Sequence, residues 1–547
     1  MREILCSGQA QSLEFPYPGG MAALCWSPAG ERGELTVSLH YDGAYGMGEK
    51  YNAVNQKGHT AVNEVEEKFC FQGEKTYCPA PFFWTNTGFG LYAATDERTS
   101  FRFGEKAVCA ELPVDCRVVL FSGMPGEIIR DYMDLFGPAK LPPKWAFGPW
   151  ISANHWDSQE KVERAVAQAE EHGFPVCALV AEAWSDEATF YVFRGARYVP
   201  KPNGGAFRLE DFDFSDSPWP DPAGMVQRLH EKGIRFLLWQ IPVYKKQGPN
   251  EPLNAQNELD RADAVARGIC VHNADGSPYT IPEGHWFAGS MIPDFTNPAA
   301  EETWFSKRNY LTEIGIDGFK TDGGEFIYRE DVRFADGNSG RAGKNRYAQE
   351  YTAAYTKHLG SAQALFSRAG YAGQHTTPIH WAGDQQSQNS ELASALRAGL
   401  SAALTGIPFW GFDIGGFAGP LPTLDLYRRA TQMACFVPVM QWHSEPDGGQ
   451  FRELMPGGEG NNERSPWNLA AAYGKPEFVD EMRFWHNLRM ELLPYLYSVA
   501  LDCAEASKPM MRPLVYQWPE DPLVWDCEDE FLLGDSLLVA PLLEENA

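Results

Sequence analysis

The sequence predicts an α/β chain: a (β/α)8 barrel preceded by a β-sandwich and followed by the start of a further β-domain. Three observations carry this. The first ~140 residues alternate apolar and polar positions between Gly and Asp turns. A proline pair, Pro142-Pro143, then marks a change of texture. After it, eight short apolar segments are separated mostly by amphipathic stretches, the pattern of parallel strands and crossover helices. A chain of 547 residues is too long for one ordinary domain. The expected boundaries are 1–140, 141–505 and 506–547.

The N-terminal strands are read from GELTVSLHYDG, RTSFRFGEKAVCAEL and CRVVLFSG. A sandwich is the simplest container for such short runs. The expected barrel strands are 145–152, 176–182, 235–242, 317–322, 364–370, 378–384, 407–413 and 435–441. Expected helices are 158–172, 222–233, 299–314, 342–359, 389–404 and 423–434. A doubly wound open sheet would want a Gly-rich first turn, and the sequence has none. The stretch 185–220, rich in Pro, Gly, Asp and aromatics, reads as a long loop. PMMRPLVYQWPEDP and EFLLGDSLLVAPLL begin the last β-domain.

Composition narrows the function. Lys and Arg number 46 against 73 Asp and Glu, a net charge of −27, which argues against nucleic acid and anionic membranes as partners. No apolar run reaches membrane-span length, and MREILCSGQAQSLEF lacks the pattern of a secretory signal. The 11 cysteines include no CxxC, so no zinc or other metal site is expected. The default is a cytoplasmic protein with reduced thiols. Homo-oligomerisation stays open. Seventeen Trp residues supply flat platforms suited to sugar faces as well as core mass.

In a barrel, functional groups lie at the C-terminal ends of strands. Strand two ends at Glu182, followed by Trp184, Asp186 and Glu187. Strand three carries Trp239, and strand four ends Lys320-Thr321-Asp322-Gly323-Gly324-Glu325. Strand five ends near Arg368, and Trp381 and Asp384 end strand six. Asp413 ends strand seven, and His443 follows strand eight. Acids and aromatics without a metal-ligand cluster fit glycoside cleavage. That chemistry needs one ionised and one protonated carboxyl beside the scissile bond, and calls for no cofactor. Lys320, two residues before Asp322, favours an anionic Asp322, which suits a nucleophile. Trp381 and two small residues give Asp384 an apolar setting, which suits a proton donor. On these grounds alone Glu182, Asp186, Glu325 and Asp413 remain competitors.

Several motifs add up in order: PPKWAFGPWIS (142–152), PDFTNPAA (293–300), GIDGFKTDGGE (315–325), FSRAGYAGQHTTPIHWAGD (366–384), PFWGFDIGGF (408–417), LLPYLYSVA (492–500), PMMRP and LLGDSLLVAP. From about 140 onward the chain resembles glycoside hydrolase family 31, the α-glucosidase and α-xylosidase family. The resemblance implies a retaining α-glycosidase acting on a terminal α-linked sugar of a small or oligosaccharide substrate. It implies Asp322 as nucleophile and Asp384 as acid/base. Arg368, Trp381 and His443 match sugar-binding positions, and Lys320, Trp239, Trp286 and Asp413 line the subsite of the cleaved sugar. Glu182 stands where an Asp is usual, so it is expected to read the sugar's 4- and 6-positions differently, and the neighbouring Trp184 is a further expected substrate-binding residue. FKTD resembles the α-xylosidase branch. Transglycosylation, elimination by a lyase and other α-glycosidase specificities, such as α-galactosidase, are the alternatives. Some members reach into the active site with a loop from the N-terminal domain, and Gly48–Asn52 (GEKYN) is the expected equivalent. That domain is shorter than usual for the family, and the chain ends inside the first C-terminal β-domain.

Overall fold

The computed structural model describes residues 1–202, 204–445 and 461–545. The last two residues of the expected C-terminal segment lie outside these.

The N-terminal part forms two antiparallel sheets, of five and six strands. They share a core in which Leu24, Trp26, Leu35 and Val37 meet Leu91, Val118 and Leu120. The central strands of the five-stranded sheet are apolar on both faces. Its strand Pro79–Thr85 is buried throughout. Phe82 and Trp84 point away from the sandwich and join the barrel core. Phe82 stacks on Tyr132 at 3.9 Å, and Trp84 donates its indole N–H to the Leu404 carbonyl at 3.0 Å. A sheet buried on both faces reads as continuous apolar sequence rather than strict alternation, as PAPFFWT does. Tyr132 belongs to a helix, Pro125–Met133, that the sequence reading lacked.

The eight expected strands close into a parallel barrel in sequential order. They are Pro149–Ala153, Ala178–Ala181, Arg235–Gln240, Gly318–Thr321, Ala364–Ser367, Ile379–Trp381, Trp410–Asp413 and Val439–Ser444. The last differs from the expected 435–441. Cys435 ends the helix Leu424–Cys435, and Pro438, which has no N–H to give a ladder, delays the strand. Lys144–Phe147 forms a 3₁₀ turn, so the first strand starts at Pro149. The single helix expected over 299–314 is two, Pro298–Ser306 and Asn309–Glu313. Further helices escaped the sequence reading, among them Ala255–Arg267 in a polar stretch and Pro466–Ala472 and Glu477–Ala506 after the barrel. The C-terminal sheet has three short antiparallel strands, Met511–Pro513, Phe531–Leu533 and Leu537–Val539. Among the described residues no helix is long and apolar enough to cross a membrane.

Candidate active site

Strand four delivers Asp322 to the mouth of the barrel. Its N–H still donates to Gln240 O at 3.0 Å, so the ladder runs up to the acid. Gly323 (φ 71°) and Gly324 (φ 110°) then turn the chain in the left-handed region, where a side chain would be strained. The turn lets the Gly323 N–H donate to Asp322 Oδ1 at 2.8 Å. Trp239 Nε1 donates to the other oxygen, Oδ2, at 3.0 Å. Trp239 stands opposite Lys320 in the ladder between strands three and four. Both oxygens of Asp322 are thus oriented.

Asp384 follows strand six through Gly383 (φ 69°). A Cβ at Gly383 would lie 2.2 Å from Cε2 of Tyr77, so glycine is required twice over. Gln72 donates to the Asp384 carbonyl at 3.3 Å. Burial pushes the Asp384 carboxyl up to about 8; Arg368 opposes this and Asp322 adds to it.

Arg368 joins the two acids. Its Nε and Nη2 pair with Glu325 Oε1 and Oε2 at 3.0 and 3.1 Å, a bidentate fork. Its Nη1 lies 3.1 Å from Asp322 Oδ1 and 3.5 Å from Asp384 Oδ2. Those two oxygens are therefore no farther apart than about 6.6 Å, the two distances laid end to end. The rings of Tyr77 and Trp286 lie 4.6 and 5.5 Å from the guanidinium. Burial raises the Glu325 carboxyl while Arg368 lowers it.

The other end of the site is built on Lys320. Its ammonium donates to Glu182 Oε1 and sits 4.8 Å from the Trp381 ring centroid. Burial pushes Glu182 up to about 7, with Lys320 pulling the other way. His443 Nε2 is 3.4 Å from the same Glu182 oxygen, and its Nδ1 is 2.7 Å from Ser152 Oγ. Burial drives the His443 pKa well below 6.5, so the ring is neutral at physiological pH. Phe417 stacks on it at 4.8 Å.

These groups face a cavity of about 370 Å³ at the strand ends. Asp322, Asp384, Glu182, Trp239, Trp286, Lys320, Arg368 and His443 line it. Three expected binding residues stand behind the wall. Trp381 lies beneath Lys320. Asp413 accepts from Gln441 at 2.8 Å, and burial raises its carboxyl. Trp184 is fully buried, contrary to the sequence expectation. The Ser185–Phe193 bridge folds the loop back on itself. Trp184 then packs on Phe193 at 5.0 Å and donates its indole N–H to Trp239 O at 3.0 Å. It props the wall without reaching the cavity. Two competitor acids also find structural work: Asp186 accepts the Ala188 and Thr189 N–H groups, and Glu325 holds Arg368.

Other cavity residues were missed, Glu67, Phe69, Asn154 and Phe417, and Glu187, read at the end of strand two but given no role, also lines it. Glu67 and Phe69 come from the N-terminal loop 64–78, not from Gly48–Asn52. The GEKYN segment packs behind strand seven instead. Trp410 Nε1 donates to Glu49 at 2.7 Å, and Tyr51 donates to Ala382 O at 2.9 Å. The available signal for the true loop was a pair of aromatics, Phe69 and Phe71, in an acidic stretch without alternation. At the opposite rim, Glu187 (φ 55°), Phe190 (φ 57°) and Phe287 (φ 59°) hold left-handed backbones. Phe190 packs on Trp239 and Phe287, and Phe287 on Trp286. Such strain, about 1–3 kcal/mol per residue, persists where the surroundings over-determine a functional wall.

Comparison with known proteins agrees with the barrel and its strand-end motifs. Residues 139–499 match the glycosyl hydrolases family 31 TIM-barrel domain, and 507–547 match the family 31 C-terminal domain. The chain is 37% identical over 516 residues to an isomaltosyltransferase of Sporosarcina globispora, covering 92% of this chain and 46% of that protein. It is 36% identical over 544 residues to a 1,3-alpha-isomaltosidase of Kribbella flavida, covering 96% and 73%. The cycloalternan-forming enzyme of Listeria monocytogenes, solved with a pentasaccharide substrate, superposes with a TM-score of 0.91 at 35% identity. That match covers 97% of this chain and 52% of that enzyme. The chain thus spans about half the length of two of these relatives. With most of its length matched, the chain belongs to glycosyl hydrolase family 31.

Proposed function

We propose that this chain carries the active site of a retaining α-glycosidase that cuts an isomaltosyl unit from an α-linked glucan. It passes the unit to water or to another sugar. In the first step Asp322 attacks the anomeric carbon, the bond to the leaving oxygen breaks, and Asp384 gives that oxygen its proton. A glycosyl ester on Asp322 results. In the second step the Asp384 carboxylate takes a proton from the acceptor hydroxyl, which attacks the same carbon and frees Asp322. Two inversions give net retention.

The observation that carries this reading is the single Arg368 nitrogen in reach of both carboxylates. A bound of about 6.6 Å on that oxygen pair reaches only the lower edge of the roughly 6.5–9.5 Å range of inverting pairs, which favours the retaining arrangement. The raised pKa of Asp384 supports its role as acid, because a group near 8 is protonated at neutral pH and still able to lose its proton. The Sporosarcina and Kribbella relatives described above act on isomaltosyl units by name, which supports that donor ahead of the α-xyloside suggested by FKTD. All cysteines among the described residues are free, which supports a reducing, cytoplasmic setting.

Time-resolved proton NMR of an isomaltosyl donor tests the proposal. The first-formed product should be the α-anomer, and a β-anomer would sink the retaining mechanism. Asp322→Ala should form no product and no glycosyl adduct by intact mass.

A further inference from the structure

We propose that the rim formed by Asn154, Ala183 and Glu187 is the subsite for the outer glucose of the isomaltosyl donor, with the Glu187 carboxylate as its selecting group. This rests on the isomaltosyl reading above and deepens it.

The cavity has a direction. The bond is cut where Arg368 meets Asp322 and Asp384. On the isomaltosyl reading, the cleaved glucose runs from there over Lys320 toward the Glu182–His443 pair, with Glu182 reading its 4- and 6-positions. In an isomaltosyl group the outer glucose hangs on that 6-hydroxyl. A site for a single glucose would close at Glu182. The lining of this cavity includes, besides Glu182, Ala183, Asn154 and Glu187. Ala183 offers only a methyl group there, and the bulky neighbour, Trp184, is folded away under Trp239. The second sugar therefore has room at the junction of strands one and two.

Glu187 is built to receive it. Its backbone is held left-handed at φ 55°, and its carbonyl accepts the Lys245 ammonium at 2.8 Å. Its carboxylate lies 3.7 Å from Arg194, which is itself 3.8 Å from Asp157. The backbone is anchored and Arg194 lies beside the carboxylate without hydrogen-bonding it, leaving carboxylate lone pairs for sugar hydroxyls. A polar group committed to a substrate hydroxyl discriminates strongly against a donor that lacks it.

The test compares kcat/KM for p-nitrophenyl isomaltoside with that for p-nitrophenyl α-glucoside. The wild-type ratio should exceed one. In Glu187→Ala it should fall about tenfold or more, chiefly through KM for the isomaltoside. Glu187→Gln should give an intermediate loss. Asn154→Ala, a second rim variant, should lower the same ratio, and thermal melting checks that each variant is folded. A wild-type ratio above one that survives in all three variants overturns the subsite. A wild-type ratio at or below one overturns the isomaltosyl reading itself.

Discussion

Arg368 and Lys320 are both buried cations among carboxylates, yet they organise opposite ends of one cavity in different ways. Arg368 commits two nitrogens to Glu325 and aims a third between Asp322 and Asp384. A planar fork fixed at one edge cannot turn, so both acids are referred to one rigid frame. Lys320 is a point charge resting on the Trp381 ring, with Glu182 as its hydrogen-bonded partner. An ammonium has no preferred plane and can re-aim its donors as a ligand arrives. The reacting end is thus held by geometry and the recognising end by charge.

The most drastic way to break the reacting end is Asp322→Ala. It should cut kcat/KM by about 10⁴-fold or more while binding persists, read by turnover beside calorimetric titration with isomaltose. The next effect is on the acid. Asp384→Ala should cost about 10²–10⁴-fold on sugar leaving groups and much less on nitrophenol, which needs no proton. In the wild type, kcat/KM should fall as pH rises through about 8, and this limb should vanish in the variant. The same shift has a stability sign. A carboxyl harder to ionise folded than unfolded favours the native state at low pH, so Tm should drop as pH climbs from the ordinary carboxylate range through about 8.

Arg368→Lys separates charge from shape. It keeps the cation but leaves buried Glu325 with an incomplete partner, at a cost of about 1–3 kcal/mol in chemical denaturation. Turnover should fall by about 10²-fold because the frame is lost. Lys320→Met should act more mildly, about tenfold and mainly on KM. Without the ammonium, Glu182, already at about 7, should climb further and become neutral at working pH. If Lys320→Met instead matched Arg368→Lys in kcat, the division between the two ends would be wrong. Smallest of all, Glu49→Gln keeps an acceptor for Trp410 and should change kcat/KM less than about twofold.

The barrel was legible because its strands are short apolar runs punctuated by helices, and because strand ends must carry the polar groups. Asp322, Lys320, Arg368, Asp384 and Glu182 all stand where a one-dimensional reading puts them. What escaped it came from places where periodicity ends. Trp184 is two residues beyond Glu182, but the strand is over by then and the loop reverses the ring's direction. Glu67 and Phe69 sit in a segment without regular structure, and only the packed fold brings residues so distant in sequence beside Asp384. The GEKYN segment looked like a site because it is polar and Gly-rich. It is polar because its side chains satisfy buried groups, as Glu49 does for Trp410. Asn345 works the same way, holding Val65 N, Asn63 O and Asp96 O from a barrel helix.

The contact between Tyr77 and Gly383 has a consequence for how such a molecule can diverge. The phenol of one module fills the space that any side chain at the other module's glycine would need. Gly383 cannot take a side chain while Tyr77 stays. A library randomised at Gly383 should return glycine almost exclusively, and relaxing Tyr77 to a small residue should not free it, because the left-handed backbone still excludes most side chains. A chimera that exchanges the sandwich without its matching barrel loop should fail first at the placement of Asp384.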